Sequence, residues 1–264
     1  MPRFAANLTL LFNEVDFLDR FAAAREADFE AVEYLFPYGY PREELAARLR
    51  DNALTQVLHN LPAGDWAAGE RGIACIPGRE REFRESVDRA IDYATALECR
   101  QLNCLAGIAP RNADPRQVRE TFVANLRYAA PKLEAAGIAL LVEACNDKRD
   151  IPGFYLNRSA QALDVIEAVG SNNLFLQYDI YHMQVMEGDL APTIERNLAR
   201  IRHMQLADNP GRHEPGTGEI NYPFLFDFID RIGYAGWIGC EYKPATTTRE
   251  GLGWLRSARS RQGA

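Results

Sequence analysis

Histidine, lysine and paired cysteines are scarce in this sequence. Of its 264 residues only 4 are histidine, and lysine supplies only three of the 30 basic residues. Its cysteines form no Cys-x-x-Cys pair, which argues against a disulfide framework and against a zinc site of the usual spacing; they are Cys75, Cys99, Cys104, Cys145 and Cys240. We therefore expect a protein of a reducing compartment, the cytoplasm.

Long apolar runs and blocks of like charge are also missing. The longest aliphatic run, residues 138–142, is far shorter than the ~20 residues of a membrane span. The chain begins Met-Pro-Arg-Phe and shows no long apolar region with a small-residue cleavage site, so we expect no secretory signal. A formal net charge of −7 without any basic cluster argues against nucleic-acid and membrane partners. Hydrophobic residues at 47% and charged residues at 25% are typical of a globular protein with a sizeable core.

Short β-rich segments alternate with amphipathic segments along nearly the whole chain. The predicted strands are Arg3–Leu11, Glu30–Phe36, Thr55–Asn60, Gln101–Ala106, Ile138–Cys145, Leu174–Ile180, His203–Ala207 and Trp237–Tyr242. Between them, apolar residues recur at spacings of three and four, which predicts helices. Eight such repeats predict an α/β fold, a single (β/α)8 TIM barrel over residues 1–264. The alternative is a doubly wound open sheet, but no Gly-x-Gly-x-x-Gly follows the first strand.

Two connections are longer than a barrel requires. They are residues 61–79 after the third strand and residues 208–219 after the seventh. Most connections have about 2 to 6 residues, and long ones often bind ligands. Because both follow a strand, we expect both on the face where TIM barrels hold their active sites.

Four polar residues occupy the ends of the fifth to eighth strands: Glu143, Asp179, Gln205 and Glu241. Consecutive strands are neighbours in a barrel, so these side chains can converge. Carboxylate and amide oxygens suit Mg²⁺ or Mn²⁺ better than zinc. One such residue alone would indicate a solvated strand end, but four in succession predict a metal site. A glycosidase would also use two carboxylates, but this alternative leaves Asp179 and Gln205 unexplained.

The few histidines and two loop arginines are further candidates for the site. His59 ends the third strand and His182 follows Asp179 by three residues, so both are placed to face it. His203 is predicted one layer deeper, as a hydrogen-bonded packing residue. A protein of charge −7 must hold an anionic substrate with local cations, and arginine pairs well with carboxylates. Arg71 and Arg212 are therefore candidates for substrate binding, although either could serve only to tie its own loop.

This set of residues indicates proton-transfer chemistry. A divalent ion that polarises a ketone oxygen acidifies the neighbouring C–H bond and stabilises an enediolate. One glutamate can then remove a proton, and a second carboxyl group can return it to the adjacent carbon. The sequence predicts isomerisation or epimerisation of a small hydroxy-carbonyl compound, with no organic cofactor.

Four longer stretches resemble a known family over nearly the whole chain. The chain is similar to the hydroxypyruvate isomerase family, within the wider xylose-isomerase-like barrel superfamily. The stretches are residues 59–79 (HNLPAGDWAAGERGIACIPGR), 177–184 (QYDIYHMQ), 214–222 (EPGTGEINY) and 239–244 (GCEYKP). Long matching runs of this kind are more specific than a short motif.

The resemblance implies interconversion of hydroxypyruvate and tartronate semialdehyde, a small hydroxy-keto acid substrate. It implies that Glu143 and Glu241 are the catalytic acid/base pair, and that both join Asp179 and Gln205 as ligands of Mg²⁺ or Mn²⁺. By similarity to sugar epimerases, His182 and Arg212 contact the substrate. Glu-Ala-Cys-Asn at 143–146 departs from the Glu-Pro-hydrophobic-Asn expected there, which affects the expected geometry of this strand end. A homo-oligomer is compatible with the sequence.

Three alternatives stay open from the sequence. The 2-oxo-tetronate isomerases share the Gly-Cys-Glu-Tyr-Lys-Pro end but resemble the chain less over residues 59–79. An endonuclease IV-like nuclease would need a histidine-rich, multi-zinc site and a basic face, and the sequence offers neither. A noncatalytic sugar-binding barrel would not need the pair Glu143 and Glu241.

Overall fold

A computed structural model of the chain describes residues 2–260, which contain eight parallel strands closed into a barrel. The strands are β1 (Arg3–Asn7), β2 (Ala31–Glu33), β3 (Thr55–Asn60), β4 (Gln101–Cys104), β5 (Ala139–Glu143), β6 (Leu174–Asp179), β7 (Ile201–Leu206) and β8 (Trp237–Cys240). They pair in chain order, and β8 pairs back with β1. The predicted α/β TIM barrel is confirmed. Met1 and residues 261–264 of the predicted domain lie outside the described residues.

Helices cover the outside of the barrel. They are α1 (Arg20–Glu26), α2 (Arg42–Asp51), α3 (Glu80–Ala96), α4 (Pro115–Ala135), α5 (Ser159–Val169), α6 (Ile180–Met186), α7 (Leu190–Asn197), α8 (Tyr222–Arg231), α9 (Thr248–Gly251) and α10 (Gly253–Ser260). Asp114 and Asn221 cap α4 and α8 by accepting a hydrogen bond from a first-turn amide, and each is followed closely by a proline. A side-chain oxygen at the cap and a proline in the first turn both favour a helix start.

Most of the predicted strands are longer than the observed ones. The first was predicted to reach Leu11 but ends at Asn7, because the amides of Leu10 and Leu11 turn back to the Asn7 carbonyl (3.1 and 2.8 Å). The seventh begins two residues earlier than predicted, since Ile201 pairs with Leu176 of β6. Apolar residues continue from a strand into its loop, so composition alone marks the end of a strand poorly.

The fold has two apolar cores, and the part of the barrel interior near the carboxyl ends of the strands is polar. The larger core packs the outward side chains of the strands against the helices. A smaller cluster inside the barrel contains Ala5, Ala31, Val57, Leu58 and Leu141. Polar side chains occupy the interior beyond this cluster, toward the carboxyl ends of the strands. None of the helices in the described part of the chain has the length and hydrophobicity that a bilayer span requires.

The two long loops both leave from the carboxyl ends of strands and are tightly held. The loop at 61–79 docks on β4 and its continuation: the Leu61 amide donates to Asn103 O and the Cys75 amide to Ala106 O (2.9 and 2.8 Å). The other loop folds around Asp208. This buried carboxylate accepts from the amides of Asn209, Gly216, Gly218 and Ile220 (2.8–3.1 Å).

Candidate active site

Every strand carries a buried polar residue at its carboxyl end, within one residue of the last strand position. These residues are Asn7, Glu33, Asn60, Asn103, Glu143, Asp179, Gln205 and Glu241. Hydrogen bonds link several of them directly, such as Asn103 Nδ2 to Glu143 Oε2 at 2.8 Å and to Asn60 Oδ1 at 3.1 Å. Sequence reasoning named only the last four. Asn7, Glu33, Asn60 and Asn103 showed the same signal, a polar residue ending an apolar strand, but were missed.

Three of the predicted acidic residues meet at one point together with a histidine. Ligand atoms of Glu143, Asp179, His182 and Glu241 all lie within 4.8 Å of one another, and all four residues are buried. We call these four residues the acidic cluster. Asp179 also caps α6 by accepting from the His182 amide at 3.0 Å, which places His182 in the first turn of that helix, beside the carboxylate.

Burial and crowding of negative charge perturb both glutamates of the acidic cluster. The pKa of Glu143 is raised well above its usual value, by burial first and then by the charges of Glu241 and Asp179. Burial also raises the pKa of Glu241, to about 8, although the neighbouring guanidinium of Arg212 opposes this shift. Carboxyl groups with raised pKa values can hold or give up a proton near neutral pH.

Arg212 is the predicted loop cation that reaches the acidic cluster. Its Nη2 donates to Oε2 of Glu241, while its Nη1 lies 3.5 Å from Oδ1 of Asp150. Its side chain is 16% exposed, and its guanidinium lies 5.3 Å from the centre of the Tyr181 ring. Its Nε is buried without a hydrogen-bond partner among the described residues. The guanidinium therefore retains donor capacity for a ligand.

His182 is held by residues of the loop after β5. Asn146 Nδ2 lies 2.7 Å from His182 Nδ1 and also donates to Asp150 Oδ2. Burial lowers the pKa of His182 to about 4, although the charge of Asp179 opposes this shift. The ring is therefore neutral at pH 7. Its Nε2 lies 3.7 Å from Asp179 Oδ2.

Gln205 lies beside Asp179, its register partner on the neighbouring strand. Its Oε1 accepts from Gln177 Nε2 at 2.6 Å, and its Nε2 donates to Glu33 Oε1 at 2.7 Å. The side-chain amide is therefore fixed in one orientation. His203 lies deeper in the same strand, between Glu33 and Gln101, at 2.7 and 3.1 Å, as a packing residue would.

The structure does not bring His59 or Arg71 to the acidic cluster. His59 pairs in register with Leu102, which belongs to the outer core, and its ring packs edge-on against Tyr38. Adjacent residues of a strand point to opposite faces, so the following residue, Asn60, enters the barrel instead. Arg71 donates to the carbonyls of Trp66 and its own neighbour Glu70 (3.1 and 2.7 Å). Their roles in substrate binding stay predictions.

Cys145 also lies beside the acidic cluster. Its sulfur forms a second candidate group with Glu143 and His182, again within 4.8 Å. Burial raises the pKa of this thiol well above its usual value, so it is present as the neutral thiol. A neutral thiol is a poor metal ligand and a poor nucleophile.

The donor set of the acidic cluster fits a hard divalent cation. Glu143, Asp179 and Glu241 supply carboxylate oxygens, and Gln205 contributes an amide on the strand beside Asp179. Burial is the first cause of the raised pKa values of both glutamates, and negative charge, including that of Asp179, adds to it; a bound cation would offset that charge. Oxygen ligands of this kind suit Mg²⁺ and Mn²⁺.

The fold and site together define a TIM barrel with a buried, oxygen-rich candidate metal site at the carboxyl ends of its strands. The family model described as xylose isomerase-like TIM barrel matches residues 21–258. The chain belongs to this family.

Two curated relatives and one solved structure are similar to the chain over almost its full length. A protein of Escherichia coli named hydroxypyruvate isomerase is 56% identical, with 97% of this chain and 98% of the relative covered. A protein of Cupriavidus necator named 2-oxo-tetronate isomerase is 50% identical, with the same coverage. A solved structure titled AP endonuclease, family 2, from Brucella melitensis is 49% identical, with a TM-score of 0.95 over 97% of this chain and 99% of that chain.

Proposed function

We propose that the chain is an isomerase that interconverts hydroxypyruvate and tartronate semialdehyde (2-hydroxy-3-oxopropanoate). One observation carries the proposal. Glu143 and Glu241 share a buried cluster with Asp179, in a chain that is 56% identical over 97% of its length to a relative named hydroxypyruvate isomerase. The five free, buried cysteines support a reducing compartment such as the cytoplasm.

The two compounds differ in the position of a carbon-bound proton and a hydroxyl proton. C3 of hydroxypyruvate loses a proton, C2 gains one, and the hydroxyl proton moves from O3 to O2. Glu143 ends β5 and Glu241 directly follows β8, two strands further around the barrel, so the two side chains can flank a small substrate. One carboxylate takes the C3 proton to give an enediolate, and the other carboxyl group delivers a proton to C2. The reverse reaction uses the same pair.

Glu143, Asp179, Gln205 and Glu241 would hold the divalent ion, which we propose to be Mg²⁺, with Mn²⁺ as a substitute. When bound, such an ion would polarise the ketone oxygen and so acidify the C–H bond beside it. Asn103 orients Glu143 through Oε2. Arg212 does the same for Glu241, so each glutamate is held by a neighbour in the site.

We infer that Arg212 binds the substrate carboxylate and that His182 hydrogen-bonds to the substrate. Arg212 already contacts the acidic cluster through Glu241, and its buried Nε has no partner among the described residues. His182 is neutral and lies within the acidic cluster. A guanidinium can hold a carboxylate through two parallel hydrogen bonds, which fits an acid of three carbons.

A 2-oxo-tetronate is the alternative substrate, because a relative named 2-oxo-tetronate isomerase is 50% identical. The same proton transfer would then act on a substrate one carbon longer. Incubation of the pure protein with each compound, followed by proton NMR, distinguishes the two. Conversion of hydroxypyruvate with the higher kcat/KM supports the proposal, and preferential conversion of the 2-oxo-tetronate would overturn it.

DNA cleavage is a second activity to test in the same purified protein, because the similar solved structure is titled AP endonuclease. Among the described residues, both candidate metal groups contain a single histidine, His182, whereas a multi-zinc nuclease needs several. The formal charge of −7 also disfavours DNA binding. We expect no nicking of abasic DNA and no tightly bound zinc in the purified protein.

A further inference from the structure

A buried carboxylate that the proposed reaction does not use lies within the barrel, below the acidic cluster. Glu33 ends β2, and its Oε2 lies 2.7 Å from Nε2 of His203. Its Oε1 accepts from Asn7 Nδ2 at 2.8 Å and from Gln205 Nε2 at 2.7 Å. Because β2 and β7 are not neighbours in the barrel, the contacts with His203 and Gln205 cross its interior.

The Glu33 carboxylate occupies a space beside β8 that is open because the strand carries a glycine, Gly239, at this point. Gly239 is the register partner of Gln205, and a Cβ atom at Gly239 would overlap both carboxylate oxygens of Glu33. Gly239 is not among the residues with positive φ, so the position needs glycine for space and not for backbone conformation. The hydrogen bonds and the missing side chain independently indicate a site built around the Glu33 carboxylate.

We propose that Glu33 is a positioning residue that orients the side-chain amide of Gln205 and so sets the affinity of the site for its divalent ion. The carboxylate oxygens of Glu33 accept hydrogen bonds. The donor end of the Gln205 amide, its NH₂ group, therefore points toward β2. The amide oxygen then faces β6, the strand that carries Asp179, where Gln177 donates to it. A flipped amide would direct its NH₂ group there, and an NH₂ group cannot bind a cation. The inference rests on the proposed function, in which Gln205 is a ligand.

Asn7 extends the influence of Glu33 to a second proposed ligand. The same Nδ2 atom that donates to Glu33 lies 3.4 Å from Oε1 of Glu241. Its own Oδ1 accepts from the Thr9 amide at 3.1 Å, which fixes the orientation of the Asn7 side chain. Glu33 therefore steadies Gln205 directly and Glu241 through Asn7.

Titration of the metal-free protein with Mn²⁺ in a calorimeter tests the proposal. Glu33→Leu removes both acceptor oxygens, so the NH₂ group of Gln205 loses the partner that orients it. We expect the Kd for Mn²⁺ to rise about tenfold or more, as is usual when a partner of a metal ligand is lost. Glu187→Leu is the matched control, because Glu187 also accepts two hydrogen bonds, both from Ser159. Its Kd should equal that of the wild type.

A double-mutant cycle separates orientation from simple loss of charge. In Gln205→Glu, the new carboxylate faces Glu33 and is repelled by it. Glu33→Leu should therefore strengthen Mn²⁺ binding in that background, although it weakens binding in the wild type. A lost negative charge, or a damaged fold, would weaken binding in both backgrounds.

Two results would overturn the role of Glu33: an unchanged Kd in a folded Glu33→Leu variant, or weaker binding in both backgrounds of the cycle. If Gln205→Leu leaves the Kd unchanged, Gln205 is not a ligand, and the proposed ligand set fails instead. If Glu33→Leu does not fold, Gly239→Ala provides the test. It keeps the Glu33 carboxylate but displaces it, and should weaken Mn²⁺ binding, whereas wild-type affinity would contradict the proposal.

Discussion

Arg212 bridges two carboxylates, donating from Nη2 to Glu241 and placing Nη1 3.5 Å from Oδ1 of Asp150. Asp150 is itself held by Asn146 and by the hydroxyl of Tyr181, the latter at 2.9 Å. The hydrogen bond from Asn146 and the charge of Arg212 lower the pKa of Asp150, although burial opposes this shift. The loop after β5 thus fixes the guanidinium beside the acidic cluster.

Replacing Arg212 should weaken substrate binding more than it changes the fold. Arg212→Ala removes the proposed clamp for the substrate carboxylate, and we expect KM to rise ten- to a hundredfold, about 1.4 to 3 kcal/mol. Steady-state kinetics with hydroxypyruvate measures this. Arg71→Ala is the comparison, since Arg71 is bound to its own loop. A large rise in KM for Arg71→Ala, with none for Arg212→Ala, would show that the substrate carboxylate binds to the loop at 61–79 instead.

Asp179→Asn should weaken metal binding without loss of the fold. The change removes one negative charge from the acidic cluster, but asparagine caps a helix about as well as aspartate, so α6 keeps its start. We expect a Kd for Mn²⁺ about tenfold higher or more in a calorimetric titration. Asp164→Asn, on the surface of α5, is the control and should bind as the wild type does. Equal affinities of both variants would exclude Asp179 as a ligand.

The docking of the long loop at 61–79 depends on the absence of a side chain at Gly72. A Cβ atom there would overlap the carbonyl of Leu105, and one at Gly107 would overlap the carbonyl of Gly72. Gly72→Ala should lower the free energy of unfolding by about 2 to 4 kcal/mol, through backbone strain together with displacement of the loop.

Gly69→Ala is the matched control for Gly72→Ala. Gly69 also has a positive φ (96°), but nothing lies within 4 Å of a Cβ atom there. Gly69→Ala should lower the free energy of unfolding only through backbone strain, by about 1 kcal/mol. Urea unfolding of the two variants measures the difference, and equal losses of stability would show that the close approach contributes nothing.

His59 should make the protein less stable in acid. Burial lowers its pKa to about 4 in the folded state, whereas an exposed histidine titrates near 6.5. Between pH 6.5 and pH 4 the unfolded chain binds a proton that the folded chain does not, so stability falls as the pH falls, by about 3 kcal/mol in total. His59→Asn should remove this part of the pH dependence in urea unfolding at several pH values. The stability of this variant should still fall somewhat as the pH falls, because the pKa of His182 is also about 4 in the folded state. An unchanged slope in His59→Asn would contradict the burial effect.

The fold was predictable from periodicity, but the site was predictable only in part. Glu143, Asp179, Gln205 and Glu241 stood out because polar residues ended apolar strands on four consecutive strands. The sequence placed His59 toward the site, but its ring lies away from the acidic cluster, against Tyr38, because a shift of one residue along a strand reverses the side chain. The role of Glu33 depends on contacts across the closed barrel with residues about 170 positions away, and spacing along a sequence does not reveal such contacts.

Exchange with solvent deuterium tests the central claim, proton transfer by Glu143 and Glu241, most directly. In D₂O the two-glutamate route predicts deuterium at the carbon that receives the proton, less any fraction returned before exchange with solvent. Glu143→Gln and Glu241→Gln should each abolish turnover while circular dichroism shows an intact fold. A hydride shift between carbons would bypass both carboxylates. Product free of solvent deuterium, together with substantial activity in either variant, would contradict the two-glutamate mechanism.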